Sequence, residues 1–138
     1  MARLKNIIPK KVAKKLLNRW RRRLHLQHWM IYFNYVPHCE IKGVHKAATV
    51  QVYEGHTDTR IEVRWTDNFD DLRHSIVHEL IHLWHCAPGL DRRKFDDATQ
   101  AMLTEQEEHA VSMTTGWILT HGKYDDDDLR PKPKEARP

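Results

Sequence analysis

Val12, Leu16, Trp20 and Leu24 recur at every fourth position through a stretch otherwise dominated by Lys and Arg, with Ala13 and Leu17 beside them. That spacing stacks the apolar side chains on one stripe, so residues 10–24 are predicted as an amphipathic helix. Pro9 falls at or just before the first turn, where its missing N–H costs nothing. From 28 to 36 the pattern switches to period two: Trp29, Ile31, Phe33 and Tyr35 alternate with Met30, Tyr32, Asn34 and Val36. Alternation with aromatic enrichment predicts a strand, and apolar residues on both faces place it inside a sheet. Pro37 ends it.

Two shorter alternating runs, 48–55 and 59–65, are joined by a turn-rich Gly-His-Thr-Asp and are expected to pair as a hairpin. In the second, Ile61, Val63 and Trp65 face one way and Arg60, Glu62 and Arg64 the other, the signature of an edge strand or one with a wet face. Asp and Asn residues then open a segment closed by Pro88-Gly89, which predicts a helix from about 70 to 86. A polar linker leads to a last helix over about 98–120. From Tyr124 the chain has four consecutive acids, three prolines and almost nothing apolar, so 124–138 is expected to be a disordered tail. The resulting organisation is a basic N-terminal helix or arm (1–23), a body (24–123) and the tail. The fold class is α+β, with a small, mostly antiparallel sheet of three to four strands.

Charge sharpens this division. Of 138 residues, 1–23 hold ten Lys or Arg and no acid, 24–124 hold nine basic against fourteen acidic, and 125–138 hold four against five. The formal net charge of +4 therefore belongs to one end of the chain. A basic helix face can bind nucleic acid or anionic lipid, and is more often simply solvated. No apolar run reaches membrane-spanning length and no signal-like apolar region opens the chain, so an intracellular, cytoplasmic protein without a membrane span is expected. Cys39 and Cys86, 47 residues apart and without CxxC spacing, fit a reducing compartment.

Eleven histidines is a high count for a residue whose chemistry is metal binding and proton transfer. His74, His78, His82 and His85 fall on one stripe of the 70–86 helix. Within it, His78-Glu79-Leu80-Ile81-His82 is an HExxH motif. Histidines at i and i+4 lie about 40° apart around a helix, so both rings reach one ion, while the Glu, about 100° away, stands beside it as a general base. Zn2+ is the expected cofactor. Leu72, Ile76, Leu80 and Leu83 on one side, with Val77, Ile81 and Trp84 on another, make this helix buried apart from its histidine stripe. The strand before it would offer an edge to an extended peptide.

A catalytic zinc needs a third protein ligand. The metzincin continuation requires Gly at 85 and His at 88, whereas this chain has His85 and Pro88. The last helix offers Glu105, Glu107 and Glu108. Measured from Glu107 at about 100° per residue, Leu103, Ala110, Val111, Trp117 and Ile118 lie within about 80° on either side. Glu107 thus sits mid-face, Glu108 at its border about 100° away, and Glu105 on the wet side. A carboxylate among apolar neighbours needs a compensating partner, so Glu107 is the expected ligand and Glu108 the reserve. Candidate oxyanion partners are Tyr53, His109, His121 and Tyr124; the tryptophans, Met102 and Met113 are expected in the core or cleft.

An IVHELIHLWH helix followed by EEHAV resembles the gluzincin clan of zinc metallopeptidases, in which HExxH is completed by a Glu from the next helix. More closely, the order LHLQHWMIYF, short strands, HELIHLWH and EQEEHAVSM is similar to small zincin-like proteins of bacteriophages and prophages, over roughly residues 24–120. The resemblance implies a zincin-like fold, His78 and His82 as zinc ligands, Glu79 as general base and a peptide or protein substrate. It does not choose between Glu107 and Glu108. SprT-like proteases share the HExxH but complete the site with a third His, a place His109 would fill only from the exposed side of its helix. The alternative reading is a zinc-binding regulatory or nucleic-acid-associated protein with little proteolytic turnover.

Overall fold

The computed structural model describes residues 6–41, 44–52, 57–85 and 95–132. The element order is α1 (Lys10–Arg23), β1 (Met30–Val36), β2 (Glu40–Ile41), β3 (Val44–His45), β4 (Ala48–Val52), β5 (Asp58–Arg64), α2 (Phe69–Trp84) and α3 (Asp97–His121), with a short 3-10 turn at Asp127–Leu129. The class is α+β, with three helices and a three-stranded mixed sheet ordered β1-β5-β4 among the described residues.

The sheet corrects two expectations. It is not mostly antiparallel: β1 runs parallel to β5 along seven residue pairs, Met30 opposite Asp58 through Val36 opposite Arg64. Only β4 is antiparallel to β5, with Ala48 opposite Val63 and Val52 opposite Thr59. A parallel pair needs a long crossover, which the 37–57 segment supplies, carrying the small β2–β3 ladder and β4 on the way. Nor is β5 an edge. It is the central strand, flanked by β1 and β4, and its polar positions reflect a sheet with one wet face. Thr59, Ile61 and Val63 are buried toward the helices, whereas Arg60 and Arg64 are exposed. Conversely β1, apolar on both faces, is an edge, and Met30 and Tyr32 project into solvent.

α2 is the axle of the core. Asn68 caps it by accepting from the Asp71 amide at 3.1 Å, and Leu72, Ile76, Val77, Leu80, Ile81 and Leu83 are all buried. α1 packs on α2 through Ala13, Leu16, Leu17 and Trp20, and the Trp84 indole donates to the Leu24 carbonyl at 2.9 Å. At about 1.5–3 kcal/mol per large buried apolar side chain, α1 belongs to the same core as the body. The 1–23 segment is thus no separable arm over its described part.

The tail expectation also changes over its first nine residues. Residues 124–132 fold back along α1 and α2, and the Asp126 side chain is 1% exposed. It accepts from Arg19 (3.0 Å), Trp20 Nε1 (2.9 Å), Arg23 (2.9 Å) and Arg73 Nε (2.7 Å). Gly122 allows the reversal, because a Cβ there would collide with the Ile118 carbonyl oxygen and the Tyr124 ring. Four acids in a row read as solvated; one of them is the hub of a buried network. No described helix is long and apolar enough to cross a membrane. Cys39 is a buried free thiol, and Cys86 lies outside the described residues.

Candidate metal centre

With its apolar sides packed on α1 and the sheet, α2 presents the histidine stripe toward α3 and β4. His78, Glu79 and His82 each offer a donor atom, and these atoms lie within 4.8 Å of one another. The cleft in front of them is walled by Ala48, Thr49 and Val50 of β4 and, across from it, by Gln100, Ala101, Thr104, Glu108 and Ser112 of α3. His74 and His109 also line it.

Both acids singled out on α3 reach the histidines, but through different nitrogens. Glu107 Oε2 lies 3.0 Å from Nδ1 of His82. Glu108 presents its two oxygens to the Nε2 atoms, Oε1 at 2.7 Å from His78 and Oε2 at 3.0 Å from His82. Both rings therefore aim Nε2 at one carboxylate, and Glu107 braces one ring from behind. Nδ1 of His78 is buried without a hydrogen-bond partner, so that ring is engaged through Nε2 alone. The α3 face turned inward is centred on Val111 and Thr115, its two buried residues, and so passes between Glu107 and Glu108. The expected centre was displaced toward Trp117, which is 66% exposed. Thr115 is polar by type yet fully buried, its hydroxyl donating to the Val111 carbonyl at 2.7 Å.

Burial and charge set the protonation of the cluster. Burial pushes Glu79 up to about 7; the neighbouring His82 pulls the other way and Glu108 adds to the rise. Burial likewise drives the His78 imidazolium below its ordinary range, and the nearby Glu108 only partly offsets this. For His82 burial acts downward too, but the Glu107 hydrogen bond and the charges of Glu79 and Glu108 outweigh it and hold the ring above its usual range. Around the two imidazoles stand three carboxylates, Glu79 buried, Glu107 half-buried and Glu108 exposed, an acid-rich set of the kind that can receive a cation.

Of the four oxyanion candidates, only His109 lines the cleft among the described residues. Tyr124 packs its ring edge-on against Trp20 at 5.0 Å on the other side of α2, His121 stacks near Trp117, and Tyr53 lies outside the described residues. Trp20 and Trp29 are in the core, whereas Trp65, Trp84, Trp117, Met102 and Met113 are exposed, contrary to expectation. The strand beside the cleft is β4, whose outer edge has no partner strand among the described residues. Sequence reasoning had given that role to β5.

The donor set fits zinc: two imidazoles and a carboxylate are its usual ligands, at about 2.0–2.2 Å. The 2.7 and 3.0 Å contacts from Glu108 to the two Nε2 atoms are shorter than the spacing of about 3.3 Å between tetrahedral donors at that radius. Glu107 supplies the carboxylate that metal-bound histidines commonly hold on their second nitrogen. No family model matches this chain, and neither does a curated protein or a solved structure.

Proposed function

We propose that this chain is a zinc-dependent metallopeptidase in which His78, His82 and Glu108 hold the ion, Glu79 is the general base and Glu107 orients His82. The observation that carries the reading is the convergence of both Nε2 atoms on the Glu108 carboxylate, beside a buried Glu79. Glu107, the ligand expected from helical phase, takes the bracing role because it meets Nδ1.

A zinc ion bound there would supply an acidified water and polarise the scissile carbonyl. The protein's share follows from its own residues. Glu79, poised near neutrality by burial, takes a proton from the attacking water on a carboxylate oxygen and passes it to the departing amine. Glu107, accepting from Nδ1–H of His82, leaves the Nε2 lone pair directed into the cleft. The outer edge of β4 can hold an extended peptide by main-chain hydrogen bonds along Ala48–Val52.

Metal analysis of the purified protein tests this. About one zinc per chain is expected in wild type, Glu79→Gln and Glu107→Ala, and none in His82→Ala or Glu108→Ala. Hydrolysis of a casein or quenched-peptide substrate should disappear in Glu79→Gln. A wild type without zinc sinks the proposal. Stoichiometric zinc with no hydrolysis of any substrate, and with Glu79→Gln indistinguishable from wild type, supports instead a metal-bearing binding protein.

A further inference from the structure

We propose that the exposed face of α1 binds the phosphate backbone of duplex nucleic acid. The fourteen residues of α1 include no acid, and its basic residues divide into two sets by what they touch. Arg19 and Arg23 bind Asp126, and Arg19 also takes Asp128. Arg21 caps the following turn through the carbonyls of Leu26, Gln27 and Trp29. The second set, Lys10, Lys11, Lys14, Lys15 and Arg22, is exposed and makes no ion pair with any described residue, and the last four of these share one face. At about 100° per residue these four fall on an arc of about 100°, with Asn18 in its middle, opposite the buried Ala13, Leu16, Leu17 and Trp20.

Three features select nucleic acid among polyanions. The apolar side of α1 is buried in the core, so the helix has no hydrophobic face to insert into a bilayer. The cations form a line rather than a plane: Lys11 and Lys15 stand about 6 Å apart along the axis and Arg22 about 10 Å further, a span of several phosphates of one strand, which recur about every 3.4 Å of duplex axis. Anchoring by the core and by Asp126 fixes the helix before binding, so little order has to be gained. The stripe carries no aromatic residue to stack on bases, which makes the contact one to the backbone and indifferent to sequence.

Because α1 is part of the core, the test is charge reversal in the full chain, read by fluorescence anisotropy with a labelled 20-base-pair duplex. Four phosphate contacts give a slope of log K against log salt of about −3.6, or about 150-fold weaker binding at 200 mM than at 50 mM NaCl. Lys11→Glu/Lys14→Glu/Lys15→Glu/Arg22→Glu should abolish binding at 50 mM while leaving the melting transition in place. Should that variant not fold, Lys14→Ala alone should reduce the slope by about 0.9. No binding by wild type at 50 mM, or an unchanged affinity or slope in the variants, overturns the proposal. So does tighter binding to phosphatidylserine vesicles than to the duplex.

Discussion

Two clusters of buried charge lie along α2, and they are built on opposite principles. At one, Asp126 is enclosed by three guanidiniums and an indole N–H, so four donors meet two oxygens. Five residues further along the helix, His78 and His82 meet Glu79, Glu107 and the exposed Glu108, three carboxylates around two imidazoles. The first cluster is satisfied by the protein alone, which is what a structural latch requires. The second is the proposed cation site. Burial of a carboxylate does not by itself mark a functional site; an unbalanced donor count does.

The sharpest way to break this contrast is Glu79→Gln. If the second cluster is catalytic, peptide hydrolysis should fall by about two to four orders of magnitude, measured as kcat/KM on a quenched peptide, with zinc content unchanged. At the Asp126 cluster the same kind of change should act on stability instead. Asp126→Ala leaves the Trp20 indole N–H unpaired and takes one partner from each of three arginines, which costs about 1–3 kcal/mol, a fall in Tm on the order of 5–10 °C by calorimetry. Hydrolysis by the fraction that remains folded should be unaffected. An Asp126→Ala protein with wild-type Tm would show that the latch is not structural.

An intermediate effect is expected at Glu107. If it braces His82 through Nδ1, Glu107→Gln should weaken zinc about 10- to 100-fold in a chelator competition, whereas Glu108→Ala removes binding altogether. The reverse ranking would restore Glu107 as the ligand and make Glu108 its support.

Much of this was legible in the chain because it depends on local pattern. The helices 10–24, 70–86 and 98–120 match α1, α2 and α3 to within a few residues, since period 3.6 and the capping Asn that opens the second helix are local signals. HExxH spacing placed His78, Glu79 and His82 together for the same reason. The features missed are those set by partners distant in sequence. The parallel pairing of β1 with β5 has no local signature, and the two-residue strands β2 and β3 are too short to show alternation. Glu107 and Glu108 straddle the inward face, so one misjudged residue, Trp117, was enough to move the centre between them. Asp126 looks like its three acidic neighbours until Arg19, Arg23 and Arg73 are brought around it by folding.

The smallest effect is the part of the Asp126 contribution that titrates. Burial raises its carboxyl, but hydrogen bonds from Trp20, Arg19 and Arg73 and the charge of Arg23 outweigh burial and hold it below the ordinary carboxylate range. Arg19 also binds Asp128, whose carboxyl is held low by that same hydrogen bond. An acid with a depressed folded pKa stabilises the fold above its unfolded value, about 3.9, and loses that contribution as pH falls from there through the folded value. The stability difference between wild type and Asp126→Asn, taken from urea melts, should therefore be flat from about pH 7 to pH 5 and shrink below about pH 4. It should approach zero there, because a protonated Asp126 and the Asn side chain each offer one carbonyl acceptor to Trp20 and the arginines. A difference that stays constant down to pH 2.5 would mean that the shape and hydrogen bonds of the side chain, and not its charge, hold the C-terminal segment against α1 and α2. The contrast between a charge-saturated latch and a cleft of imidazoles and carboxylates would then lose its electrostatic basis at the first of the two sites.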